Sequence, residues 1–265
     1  MVVAAENFWG SIATQLAGDK VCVRSIIVNP DTDPHAYEAK PSDARLIASA
    51  RYVIVNGAGY DPWAPKLISA NPVSGRTVLT VGELVGKQEG SNPHMWYSPD
   101  YVARVIDRIT SDLDAIDPQD ASYFDQQKTQ YLTVGLKDYL GTLAGIRQKY
   151  HGTPVGATES IFVYLSDALN LNLITPPEYM KAISEGTDPS AADKATIEHQ
   201  ISSKSIKVFV FNSQNSTKDV VALVDKAKAQ GIQVAQVTET LTPAGATFQD
   251  WQTKQLQGLL TALGG

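Results

Sequence analysis

The sequence predicts an α/β protein, built as two βα lobes with parallel-type sheets joined by a single long connecting helix. Three observations lead there. Short apolar runs alternate with helix-like segments along the chain. One long amphipathic stretch, 117–150, interrupts that alternation. After it the alternation restarts. At 265 residues the chain has room for one large domain or two of ordinary size. The boundaries read as an N-terminal lobe over 1–116, the connecting helix over 117–151 and a C-terminal lobe over 152–265.

In order, Val2 to Ala5 reads as a strand and Asn7 to Leu16 as a helix stopped by Gly18. Lys20 to Val28 is the next strand and runs into the loop 29–35. Ser42 suits an N-cap for a helix through Ala50. Tyr52 to Val55 is a buried strand closed by Asn56-Gly57, Thr77 to Val81 another strand, and Pro99 to Leu113 a helix. In the long segment Asp117 suits a cap, Pro118 the first helical position, and Gly152 the position past the end. Between them Tyr123, Phe124, Tyr131, Leu132, Leu136, Tyr139, Leu140, Leu143 and Ile146 recur at threes and fours. One helix there would span roughly 45–50 Å; two helices with a break near Gly135 are the alternative. Beyond it come strands at Pro154–Ala157, Leu171–Ile174, Ile206–Phe211 and Gln233–Val237. Helices alternate with them at Ser160–Leu169, Ala191–Ser203, Thr217–Gln230 and Phe248–Leu263.

The hydrophobic fraction of 43% is that of an ordinary globular chain. No apolar run approaches the roughly 18–20 residues that cross a bilayer. A net charge of −6, with no basic block, argues against nucleic acid as a partner. The sole cysteine, Cys22, excludes an internal disulfide and any cysteine-based zinc knuckle; in Val21-Cys22-Val23 it reads as a packed strand residue. The sequence has no H-E-x-x-H helix, no nucleophile elbow and no phosphate-binding glycine loop.

Two phrases echo each other: Pro34-His35-Ala36-Tyr37 and Pro93-His94-Met95-Trp96. Each places a histidine directly after a proline, whose fixed φ stiffens the loop that presents the imidazole. Imidazole is the commonest protein ligand of transition metals. In open α/β sheets ligands sit beyond the carboxyl ends of the strands, where His35 and His94 in the first half and Glu159 and Glu239 in the second all fall. Two imidazoles and two carboxylates from opposite halves suit one divalent cation. Taken singly, each has a plainer reading: Glu159 as a helix-start acid facing the dipole, Glu239 as a solvated loop acid, and both histidines as loop residues.

Their sequence context resembles a known family. Asp33-Pro34-His35-Ala36-Tyr37-Glu38, with the helix and strand that follow it, is similar to the first-ligand region of the solute-binding receptors of bacterial zinc and manganese ABC importers. Asn92-Pro93-His94-Met95-Trp96 resembles their second-ligand motif. The run Gly156 to Leu165, which holds Glu159, resembles the third, and Val234 to Thr240, which holds Glu239, the fourth. The resemblance keeps this order over nearly the whole chain. It implies a non-enzymatic receptor with one metal ion held between two lobes by His35, His94, Glu159 and Glu239. It further implies an ABC permease in the membrane as partner, a monomeric receptor, and an extracytoplasmic location, periplasmic or lipid-anchored. The resemblance also leads to the expectation of an export-targeting segment that this sequence does not include.

The chain departs from many zinc-type members, which carry a histidine in place of Glu159 and a His- and acid-rich loop ahead of the second ligand. Between Trp63 and His94 it has only two acids, Glu83 and Glu89. Carboxylates suit manganese and imidazoles suit zinc, so the expected ion is Mn2+ first and Zn2+ next. A metal-dependent hydrolase and a surface adhesion module with a structural metal are the competing readings. Tyr37, Trp96 and Tyr97 either shield the ion or simply pack. Asp33 and Glu38 are candidates to orient His35. His151 sits at a helix end and His199 on a solvated helix face.

Overall fold

Parallel strands need covered faces and crossover helices, and the chain supplies both twice. The computed structural model describes residues 1–30, 32 and 37–265. By internal contacts it divides into one unit of residues 1–137 with 240–249 and a second of residues 138–239 with 250–265. Among the described residues no helix is long and apolar enough to cross a membrane.

In the first unit the order is β1 (Val2–Glu6), α1 (Asn7–Ala17), β2 (Val23–Ile27), α2 (Pro41–Ser49), β3 (Tyr52–Val55), α3 (Trp63–Ala70), β4 (Thr77–Thr80) and α4 (Val81–Val85). A 3-10 turn (Met95–Tyr97), α5 (Pro99–Ile116) and α6 (Ala121–Gln130) follow. The sheet runs β2-β1-β3-β4, all parallel. Every residue of the two central strands is buried, and each fully buried apolar side chain there contributes roughly 1.5–3 kcal/mol. On one face Val3, Ala5, Val53 and Val55 pack with Ile47, Trp63 and Ala64 from the helices.

The second unit repeats the plan with α7 (Lys137–Tyr150), β5 (Pro154–Ala157), a 3-10 turn (Ser160–Phe162), α8 (Val163–Ala168), β6 (Asn172–Leu173) and α9 (Pro177–Ser184). Then come α10 (Ala191–Ser202), β7 (Val208–Asn212), α11 (Lys218–Ala229), β8 (Gln233–Val237) and α12 (Phe248–Leu263). Its sheet order is β6-β5-β7-β8, again all parallel. In both sheets the first strand has its successor on one side and the third strand on the other. That is the switch point at which a crevice opens beyond the strand ends. The registers also match. Ala4 pairs with Ile54, and Ala157 with Val210. Two residues further on, Glu6 stands level with Asn56, and Glu159 with Asn212.

Several expectations change. Cys22 is exposed, not packed: it precedes β2, the sheet's edge strand, whose side chains are only partly covered. Ser42 does not cap α2. The helix starts at Pro41, and the Asp43 carboxylate accepts the Lys40 backbone N–H (2.7 Å) and the Tyr37 hydroxyl (2.7 Å). Asp117 closes α5 rather than opening a helix, and α6 begins at Ala121. Between α6 and α7 lies a π turn, Tyr131–Gly135, closed by Leu136 N–H donating to the Tyr131 carbonyl at 2.8 Å. A Cβ on Gly135 would meet the Tyr131 ring at 2.7 Å, so glycine is what lets that ring fold over the turn. The helix expected over 160–169 is a 3-10 turn followed by a six-residue α-helix. Short helices α3, α4 and α9 fall in stretches that gave too little periodicity to read.

Candidate functional site

In the first unit the carboxyl ends of β1 and β3 carry a buried polar knot. Asn56 is fully buried. Its Oδ1 accepts the Trp9 indole N–H (3.0 Å), and its Nδ2 donates to the Pro93 carbonyl (2.9 Å). The side chain thus ties the end of β3 to the loop that presents His94. Asp61 receives the backbone N–H groups of Asn56 (2.7 Å) and Gly57 (2.8 Å). His94 is 0% exposed. Trp96 lies edge-on to it at 5.3 Å between ring centroids, and Trp96 itself stacks on Phe8 at 4.1 Å. These rings wall the imidazole off from water, so packing and shielding are one arrangement.

The tautomer of His94 follows from Asn92. One amide oxygen, Asn92 Oδ1, accepts the His94 backbone N–H (3.1 Å) and lies 2.7 Å from Nδ1. A carbonyl oxygen only accepts, so Nδ1 carries the proton and the ring lone pair is on Nε2. That is the usual way a ligating imidazole is oriented.

Glu6 lies against Asp61 with no exposed surface. Burial, then the neighbouring Asp61 charge, push its carboxyl well above the ordinary range. Burial also raises Asp61, against the pull of the Gly57 and Asn56 amides. Folded protein therefore keeps a proton on Glu6 at pH values where the unfolded chain has released it. More protons on the folded state means that stability falls as pH rises through that window, by about 1.4 kcal/mol per pH unit for one proton. Glu6→Gln removes this term. Its urea midpoint, equal to that of the parent in acid, should exceed it increasingly as pH rises above the unfolded-state value near 4.5. Parallel pH profiles for the two proteins would show that Glu6 holds no such proton.

In the second unit Glu159 is 1% exposed and Glu239 8%. Neither is a surface acid. Glu159 sits in extended backbone at the start of the 3-10 turn and makes no side-chain cap. Its Oε2 accepts the Asn215 amide at 2.8 Å. Glu239 Oε1 accepts the Asn212 amide at 3.0 Å, and the Glu239 backbone N–H donates to Gln214 Oε1 at 2.6 Å. Both carboxylates are thus held by one segment, Asn212-Ser213-Gln214-Asn215, at the end of β7. Further support comes from Ser184, whose Oγ accepts the Ser160 N–H (3.1 Å), and from Gln255, whose Oε1 accepts the Thr238 N–H (2.8 Å).

The four sequence-predicted ligands therefore divide as follows. His94 belongs to the first unit, Glu159 and Glu239 to the second, and His35 lies outside the described residues, as do Asp33 and Pro34 of its motif. Among the described residues no three His, Cys, Asp or Glu side chains form a group placed to hold a metal. Sequence reasoning passed over Asn56, Asn92, Asn212 and Asn215. Their one signal was position, since Asn56 and Asn212 end apolar strands and Asn92 precedes Pro-His. His151 and His199 are both exposed.

A family model described as zinc-uptake complex component A, periplasmic (ZnuA), matches residues 2–262. The chain belongs to the ZnuA family. ZnuA-family proteins are binding components of metal uptake systems and not enzymes. The manganese-binding lipoprotein MntA of Halalkalibacterium halodurans is 27% identical over 136 residues, 49% of this chain and 44% of that protein. The zinc-binding lipoprotein AdcA of Streptococcus pneumoniae is 23% identical over 270 residues, 92% of this chain and 52% of that one. The chain thus spans about half the length of AdcA, and its match to MntA covers about half of each protein. A solved Mn-bound periplasmic metal-binding protein from Candidatus Liberibacter asiaticus has a TM-score of 0.80 at 22% identity, covering 99% of this chain and 98% of its own. At that identity the likeness speaks for the fold, and this is the α/β class read from the sequence.

Proposed function

We infer that this chain is an extracytoplasmic solute-binding receptor. It captures one divalent transition-metal ion, Mn2+ ahead of Zn2+, through His35, His94, Glu159 and Glu239, and delivers it as a monomer to an ABC permease. The observation that carries this reading is the treatment of the two glutamates. Burying a carboxylate is costly unless it is paired or hydrogen-bonded, and here two are buried and each is oriented by an asparagine amide. Two carboxylates held in place this way are suited to a divalent cation. His94, with its proton fixed on Nδ1 by Asn92, is prepared for the same role. Two anionic and two neutral donors would cancel the charge of a divalent ion. The relatives named above are described as manganese- and zinc-binding, in keeping with a site open to either.

The test is metal content of the purified protein, followed by chelator stripping and competitive titration with manganese and zinc. One ion per chain that manganese displaces supports the reading. Zinc that manganese never displaces turns it into a zinc receptor, and the absence of any stoichiometric ion removes the function. Glu159→His replaces a hard oxygen donor by an imidazole, so the variant should shift toward zinc over manganese by roughly tenfold or more. An unchanged ratio would return Glu159 to a purely structural role.

A further inference from the structure

Resting on the receptor reading, we propose that Asn212 and Asn215 set the selectivity of the site by holding Glu239 and Glu159 each to a single metal-facing oxygen. Both amides are themselves fixed. Asn212 Oδ1 accepts the Gln214 backbone N–H at 3.0 Å, which turns its NH2 toward Glu239 Oε1. The Asn215 NH2 donates both to Glu159 Oε2 and to the Ile183 carbonyl (3.3 Å), so its oxygen faces away. Asn212 is fully buried, and its backbone N–H is also engaged, by Thr158 Oγ1 at 3.4 Å. Asn212 thus has little freedom to follow a carboxylate that rotates, and Asn215 is held by two acceptors at once.

A bidentate carboxylate must present both oxygens to the ion at about equal distance. One oxygen of each glutamate is already drawn to an amide proton, on the last residue of β7 for Glu239 and in the loop after it for Glu159, so each is biased toward one-oxygen binding. Two such oxygens and two imidazoles make four donors, the number zinc adopts. Manganese prefers a larger, oxygen-rich shell. The amides therefore pull against the manganese preference that two carboxylates create, and the balance is adjustable at positions that never touch the ion.

The test compares the parent chain with Asn212→Leu, Asn215→Leu and the double variant. Each is loaded with Co2+ for its visible absorption, then titrated with zinc against manganese. The parent should bind one Co2+ with the intense bands of a four-coordinate ion. The double variant should still bind one, with weaker bands of higher coordination and a manganese-to-zinc preference raised about 10–100-fold, the range for partners of metal ligands. Asn215→Gln, which keeps an amide, should stay near the parent. If Asn212→Leu fails to fold, Asn215→Leu carries the test through Glu159 alone. Parent-like spectra and ratios in the leucine variants would overturn the clamp and leave the receptor standing. A parent that binds no Co2+, Zn2+ or Mn2+ would overturn the receptor itself.

Discussion

Replacing His94 with alanine should lower metal affinity by more than about 100-fold, beyond the 10–100-fold typical of losing a partner of a ligand. The size follows from how completely the ring is prepared. It is fully buried, its tautomer is set by Asn92, and Trp96 holds its plane. Little ordering remains to be done on binding, so nearly all of the metal–nitrogen bond appears in the affinity. The fold should survive, because the backbone of 93–95 stays tied through Pro93 to Asn56. Far-UV circular dichroism should match the parent while competition against a metal-sensitive dye shows the loss. Unchanged affinity would take His94 out of the site.

Asn56→Ala should cost about 2–4 kcal/mol of stability. Truncation removes the acceptor for the Trp9 indole N–H, and an orphaned buried donor costs about 1–3 kcal/mol. The Pro93 carbonyl loses one donor and keeps the Met95 N–H at 2.8 Å. The missing amide volume adds a packing term. Because that same bond anchors the His94 loop, metal affinity should fall together with stability. Asn56→Asp should do worse, not better. It restores the acceptor for Trp9 but brings a third carboxylate next to the end of β3, where Asp61 and Glu6 already share a buried space. Urea unfolding with and without metal separates the two effects. A loss below about 1 kcal/mol with unchanged affinity would mean that the loop is held elsewhere.

Tyr52–Val55 and Pro154–Ala157, both inside their sheets, and Gln233–Val237, at an edge, were placed to the residue. At two other edge strands the reading overran: Lys20–Val28 shrank to Val23–Ile27 and Leu171–Ile174 to two residues. An edge strand is paired on one side only, and composition does not reveal where pairing stops. Helix starts failed where a local signal competed with another. Ser42 was a plausible cap, but Asp43, reached by Tyr37 as well as by Lys40 N–H, satisfied the end more fully. Cys22 was misread because burial of an apolar triplet depends on what lies over it, and nothing in Val-Cys-Val says that the strand is at the rim.

For the candidate site, Pro-His twice and a glutamate after each of two strands were legible because proline stiffness and strand-end position are local properties. The amides were not. Asn212 reaches a residue 27 positions away and Asn215 one 56 positions away, and a single asparagine carries no mark of its partner. By itself the sequence determined the α/β class, the four donor residues to consider and the lack of a second cysteine for a disulfide or zinc knuckle, all of which rest on residue type and short-range order. Only the tertiary structure decided that Glu159 and Glu239 are buried, that one loop holds both, and that Glu6 and Asp61 share the matching place in the first unit. Burial and hydrogen-bond partnership depend on what distant segments bring into contact, and parallel sheet registers, not neighbours in sequence, make those contacts.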